Sequence, residues 1–311
     1  CLLLNHSIKL NYYFCFQNQY VMLMQDNFES PDYYLLDELL TSEHLLIRKT
    51  IRDFVKKEIS PIIEEVCQSC IFPKDLIPKM GALGCFGPLI PNKYGGAELD
   101  QISYGLIMQE LERGDSGIRS TASVQSSLVM FPIFTYGTDD QKNKYLPSLA
   151  SGDIMGCFGL TEPNHGSNPS GMESRFVDKG DYFLLNGSKL WISNSPFADI
   201  AIVWAKNEEN RIQGLIIETD MEGVSTPETH NKWSLRGSVT GEIIFENVKV
   251  PKTHLLTGKD GLGAPLGCLD SARYGIAWGA IGAAMDCYDS ALNYSLQRQQ
   301  FGKPIGSFQL Q

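Results

Sequence analysis

The hydrophobic period of this chain changes twice, and a period that suits a helix cannot suit a sheet. Residues 37–153 carry apolar side chains at helical spacing. Residues 154–255 break into short β-prone runs between turn residues, and the helical period returns from Gly261. The order is helices, strands, helices, so the expected class is α+β, with helices segregated from the β region. Six or more short strands at this spacing suit a small β-barrel or a sandwich.

Local signals refine this outline. In LLIRKTIRDFVKKEIS, Ile47, Ile51, Phe54, Val55 and Ile59 share one helical face, and Pro61 should kink or end that helix. Further helices are expected over 100–113 and 120–134. Thr138 followed by Gln141 is a capping-box pattern that opens a helix through Leu149. In FVDKGDYFLLNGSKLWIS, Lys179-Gly180 and Asn186-Gly187 read as two turns. DIAIVWA, GLIIET and GEIIFENVKV are further strands. Gly275, Gly279 and Gly282 in the last helical stretch let helices approach closely.

The formal charge of -10 argues against nucleic acid as the main partner, because phosphate backbones need a cationic face. A single phosphate-bearing small molecule needs only one local site and is not excluded. The cysteines are scattered apart from Cys67 and Cys70, and the five histidines do not cluster, so no metal set is expected. In residues 1–24 polar side chains interrupt every apolar run, which argues against a membrane span. Residues 1–36 read as a leader outside the domains, with Met22 or Met24 a natural start.

Three segments carry chemistry. In Phe158-Gly-Leu-Thr-Glu-Pro-Asn-His-Gly-Ser167, Pro163 and Gly166 break regular structure and free backbone N–H groups for a ligand. Taken alone it is equally a plain turn. In Lys189-Leu-Trp-Ile-Ser-Asn194, Trp191 can stack on a flat ring and Ser193 can bond its edge; a core tryptophan is the other reading. Arg298, opening Arg298-Gln-Gln-Phe-Gly302 at a helix end, can neutralise a phosphate or simply face solvent.

Together, in this order and spacing, the three resemble the acyl-CoA dehydrogenase family over roughly residues 37–311. That resemblance implies an N-terminal helical domain (37–153), a middle β-barrel (154–255) and the start of a C-terminal helical bundle (256–311, truncated). It implies FAD as cofactor, held by Phe158, Gly159, Leu160, Thr161, Gly166, Ser167, Trp191, Ile192 and Ser193. Arg298 and Gln309 would reach the FAD of a neighbouring subunit, which implies a homo-oligomer, a tetramer. The family usually has Thr at Ser193 and an acid at Asn168; the first change keeps the hydroxyl and the second should be mild.

The glutaryl-CoA dehydrogenase subgroup fits best. Gly117 through Val129 resembles its segment in which an Arg-Ser pair, here Arg119 and Ser120, meets a distal carboxylate; pairing of Arg119 with Glu112 or Asp115 is the alternative. Gly267, Cys268, Leu269, Asp270, Arg273 and Tyr274 would lie along the CoA thioester, with Ser167 touching it. The implied reaction oxidises glutaryl-CoA to crotonyl-CoA with CO2 release and passes electrons to an electron-transfer flavoprotein. A short-chain dehydrogenase or oxidase, or a non-catalytic acyl-CoA or FAD binder, is the rival. The catalytic Glu of the subgroup is expected beyond Gln311, so no base is named and the chain alone is expected to be inactive. The bacterial cytoplasm is the expected location, with the mitochondrial matrix as alternative.

Overall fold

In the computed structural model, which describes residues 34–309, Thr41 opens the first long helix by exchanging hydrogen bonds with His44 in a capping box. The leader expected over 1–36 lies outside the described residues up to position 33. The described residues fall into two compact units, 34–288 and 289–309.

In the first unit the helical region comprises α1 (Ser42–Phe54), α2 (Ile63–Ser69), α3 (Leu76–Ala82), α4 (Gln101–Gly114), α5 (Ser116–Ser123), α6 (Phe131–Tyr136) and α7 (Asp139–Ser151). Two π-helical segments interrupt it. Val55–Ile59 follows α1 just before Pro61, and Val124–Met130 joins α5 to α6 in one continuous run. Arg52 of α1 reaches the fully buried Glu110 of α4 through Nε at 3.0 Å and Nη2 at 2.9 Å. The capping box expected at Thr138 is present: Gln141 N–H donates to Thr138 Oγ1, and Thr138 N–H donates to Gln141 Oε1 at 2.9 Å.

The middle region is one curled sheet of seven strands: β1 (Gly156–Gly159), β2 (Arg175–Asp178), β3 (Tyr182–Ser193), β4 (Ile200–Lys206), β5 (Ile212–Glu218), β6 (Val224–Ser225) and β7 (Thr240–Pro251). Their order is β1-β4-β2-β3-β7-β6, with β5 on β4. One face packs a single apolar core around Leu185, Val203, Leu215 and Ile243. The Asn186-Gly187 turn expected from the sequence is not a turn. Both residues lie inside β3, and the ladder to β7 shifts register between Leu185 and Gly187. The reason is contact: a Cβ on Gly187 would stand 2.3 Å from Ser174 Oγ, and its φ of 142° suits only glycine. Asn186 is held in the strand by Asn247, whose N–H donates to Asn186 Oδ1 at 2.8 Å.

Helix α8 (Gly263–Gln297) returns the chain to the helical region. Its glycines sit where α4 comes close. A Cβ on Gly275 would stand 2.5 Å from Tyr104 Oη, and one on Gly282 would stand 2.0 Å from the Gln109 carbonyl oxygen. In return, Trp278 lies over Gly105. Four side chains join helices and sheet at another point: Lys144 and Tyr145 of α7 meet Glu218 at 2.8 and 3.0 Å, and His254 stands 3.5 Å from Tyr145 Oη. Among the described residues, no helix is long and apolar enough to cross a membrane. In the C-terminal unit, Arg298 follows the last turn of α8, and β8 (Gln299–Gln300) pairs with β9 (Lys303–Pro304) as a tight hairpin.

Candidate functional site

A cavity of about 400 Å³ opens where β1 gives way to its loop, the end of β3 passes alongside, and α8 begins. Phe158 lines it from β1, Leu160, Thr161, Gly166 and Ser167 from the loop, and Trp191, Ile192 and Ser193 from β3. Val124 and Leu128 enter from the π-helical segment, and Leu266, Leu269 and Arg273 from α8.

The β3 wall owes its shape to one extra residue. Lys189 pairs with Ile243 and Ile192 with Gly241, so three steps on β3 match two on β7. Trp191 takes up the surplus in the left-handed region, at φ 58°, and Asn194, just past the strand, is also left-handed at φ 71°. Such a backbone is unusual for a bulky side chain and is kept only where its surroundings hold it. The bulge turns the indole outward, and Trp191 is 68% exposed beside the cavity while Ile192 points into the sheet core. The loop wall is tied to it directly, because Leu190 N–H donates to the Thr161 carbonyl at 2.9 Å.

Beneath both walls lies a buried ion pair. Lys189 is 0% exposed, and its Nζ donates to Glu162 Oε1 at 2.7 Å and to the Leu160 carbonyl at 3.3 Å. Glu162 also accepts the N–H groups of Glu173 and Ser174, the second at 3.0 Å. Burial drives the lysine down to about 8, against the upward pull of the carboxylate. Burial also works to raise Glu162, but the lysine charge and the backbone donors outweigh it and bring the acid below its ordinary value.

The cavity therefore brings together eight of the nine residues proposed from the two β-region motifs. The ninth, Gly159, lies in β1 behind the wall, where a Cβ would meet the Lys189 side chain at 3.1 Å. Of the α8 residues, Leu269 and Arg273 reach the cavity. Asp270 pairs with Arg273 at 2.5 Å, Gly267 packs on Tyr136, and Tyr274 Oη donates to the Gln101 carbonyl at 3.0 Å. Cys268 is buried, which pushes its thiol up to about 12, and its Sγ–H points at the Ala264 carbonyl. Arg119 and the half-buried Ser120 sit on α5. The Arg119 Nε donates to Glu112, and a Cβ on Gly279 would press on both side chains of that pair. That pairing was one of the two sequence readings, and it leaves the terminal amino groups of the guanidinium outside the bond. Arg298 and the exposed Gln309 belong to the C-terminal unit; the Arg298 carbonyl accepts Ile305 N–H at 2.8 Å.

Sequence reading missed Val124, Leu128, Pro169 and Leu266 as lining residues, and the Lys189–Glu162 pair as a support. The lysine left a signal. It stands four residues after Leu185, on the inward parity of β3, where a cation needs a carboxylate partner.

Comparison with known proteins gives concordant matches. Residues 41–153 match the model for "Acyl-CoA dehydrogenase, N-terminal domain", residues 157–248 the middle domain, and residues 259–311 the C-terminal domain. A probable acyl-CoA dehydrogenase of Bacillus subtilis, YngJ, is 41% identical over 278 residues, spanning 87% of this chain and 73% of the relative. A glutaryl-CoA dehydrogenase of Desulfococcus multivorans is 39% identical, spanning 88% and 73%. The solved glutaryl-CoA dehydrogenase of Mycobacterium smegmatis in complex with FADH2 superposes with a TM-score of 0.86 at 45% identity, covering 88% of this chain and 70% of that one.

Proposed function

This chain belongs to the acyl-CoA dehydrogenase family, and on that footing we propose that it binds FAD and takes part in oxidising an acyl-CoA thioester, with glutaryl-CoA as the substrate. The observation that carries the reading is the cavity, in which the Thr161 loop, the bulged Trp191 strand and the start of α8 meet.

The residues fit a flavin. Trp191 offers an exposed aromatic face. Thr161, Ser167 and Ser193 bring three hydroxyls to the cavity, and none of the side-chain hydrogen bonds among the described residues engages them. At Gly166 a Cβ would meet only the Thr161 methyl, at 3.9 Å, so a ring can approach the backbone closely. Trp191 would stack on the ring, while Thr161, Ser193 and the Phe158–Leu160 backbone would fix its edge. Bound FAD supplies the two-electron acceptor for the substrate β-hydride.

The chain's own residues orient the thioester. Leu269 and Arg273 line the α8 side of the cavity; we assign them, with Gly267, Cys268, Asp270 and Tyr274, to the acyl-CoA, and Ser167 to its contact with the loop. Arg119 and Ser120 are assigned to the distal carboxylate. A carboxylate in an apolar pocket needs a cation, and among the described residues Glu112 engages the Arg119 guanidinium at Nε. We name no catalytic base in this chain. Release of CO2 to give crotonyl-CoA, electron delivery to an electron-transfer flavoprotein, and assembly into a tetramer in which Arg298 and Gln309 reach a neighbour's FAD complete the proposal, with the bacterial cytoplasm as its setting. The alternative is a short-chain acyl-CoA substrate.

The test is ligand binding. The purified chain is titrated with FAD by flavin fluorescence, and the loaded protein is then titrated with glutaryl-CoA and butyryl-CoA by the change in flavin absorbance. Tighter binding of glutaryl-CoA, lost in Arg119→Gln, supports the glutaryl reading. Equal or tighter binding of butyryl-CoA, indifferent to Arg119, favours the short-chain alternative, and failure to bind FAD removes the proposal.

A further inference from the structure

We infer that Lys189 and Glu162 are positioning residues for the flavin pocket: their buried ion pair sets the gap between the Thr161 wall and the Trp191 wall. The inference rests on the flavin reading for its ligand and on the following geometry for its mechanism.

Glu162 is the node where three segments meet. Through its backbone it closes the loop on His165, with Glu162 N–H to His165 O at 3.3 Å and His165 N–H to Glu162 O at 3.1 Å. Through its carboxylate it receives the Glu173 and Ser174 amides, which begin the path into β2, and the Lys189 ammonium from β3. Lys189 adds a second bond to the loop at the Leu160 carbonyl. The ion pair is thus one residue from Thr161 on one side and two from Trp191 on the other. The Leu190–Thr161 backbone bond lies between them. Gly159 leaves room for the lysine stem, since a Cβ there would stand 3.1 Å from its Cγ.

Stability alone does not call for this arrangement. Taking two charges out of water costs more than their attraction readily returns, and an apolar pair of the same volume is commonly as stable. What the charged pair provides and an apolar pair cannot is direction, because each bond fixes a donor and an acceptor. A device of that kind suits Trp191, whose left-handed backbone persists only if its neighbours hold it.

The experiment compares the parent chain with Lys189→Met/Glu162→Leu, which removes both charges without stranding either, and with Glu162→Gln, which keeps shape and one acceptor. Three quantities are measured: melting temperature, hydrogen exchange at the amides of Leu190, Glu173 and Ser174, and FAD affinity by flavin fluorescence. The expected result is a double variant that melts lower than the parent, because the Glu173 and Ser174 amides lose their acceptor, and that, well below its melting temperature, also exchanges the Leu190 amide about tenfold faster and holds FAD about tenfold more weakly. Glu162→Gln should loosen the same amides. Parent-like exchange in whichever variant folds overturns the inference, as does a loss of FAD affinity that merely follows melting temperature. If the parent binds no FAD, the flavin reading falls, and the exchange measurement still decides whether the pair sets the gap.

Discussion

Leu190 and Thr161 are joined by a single backbone hydrogen bond of 2.9 Å, and this bond makes two distant segments into opposite walls of one cavity. Residues 158–167 and 189–194 are separated by the whole of β2 and most of β3. The fold brings them side by side because β3 turns back along the sheet and then bulges at Trp191.

Trp191 holds an unfavourable backbone and buries little. Replacing it by glycine relieves a left-handed conformation that costs about 1–2 kcal/mol in an L-residue. Glycine returns about 0.4–1 kcal/mol of that through its freer unfolded state. Trp191→Gly should therefore melt no lower than the parent in thermal unfolding, while flavin fluorescence shows FAD held about tenfold more weakly.

Arg119 and Glu112 form a second buried pair. Removing the arginine alone, as in Arg119→Met, leaves a buried carboxylate uncompensated, and denaturant unfolding should register a loss of about 3–5 kcal/mol. Arg119→Met/Glu112→Leu should recover most of that loss. A double variant no more stable than the single one would show that the two side chains do not act as a pair.

Gly282 marks a close approach of α8 to α4. Alanine there would place its Cβ 2.0 Å from the Gln109 carbonyl oxygen, so the helices must separate. Overpacking of this kind costs about 1–3 kcal/mol, read as a lower denaturant midpoint. Gly282→Ala should also weaken acyl-CoA binding, since the same helix carries Leu269 and Arg273 into the cavity.

Acid should lower the stability of the protein through at least two pH windows. Burial pushes the His254 imidazole below its ordinary 6.5, against the Ile216 carbonyl and the Glu218 charge. The unfolded chain takes up that proton first, so the stability His254 carries is complete above 6.5 and falls as pH drops below it. Asp100 is held down to about 2, first by the Ser103 N–H and then by His44, so its contribution is complete above 3.8 and is lost as pH falls from there towards about 2. Urea midpoints measured across this range should decline in both windows, and His254→Gln should flatten the upper one only.

Much of this architecture can be read from residue order. Thr138 with Gln141, and Asp100 ahead of Gln101, mark helix starts because a side-chain oxygen there satisfies amides that the helix leaves open. The strand character of β4, β5 and β7 follows from runs rich in β-branched residues. Asn186-Gly187 misleads because glycine was needed there for contact with Ser174, and the sequence does not distinguish that need from a turn. The π-helical segments are invisible for a related reason: tertiary packing, and no residue type in Val124–Met130, decides the width of that turn. The inward parity of Lys189 on β3 was legible, but the identity of its partner was not, since Glu162 lies twenty-seven residues away.

The chain contains four tryptophans, and their surroundings differ enough to report separately. Trp204 is sealed in the sheet, Trp278 lies over Gly105, and Trp233 stands 97% in solvent. Trp191 alone borders the cavity. With Trp233 changed to phenylalanine, the long-wavelength emission of the protein would come chiefly from the cavity wall. A guest that absorbs where tryptophan emits, as a flavin does, would quench it on settling there, so the molecule carries its own optical gauge of occupancy and needs no added label.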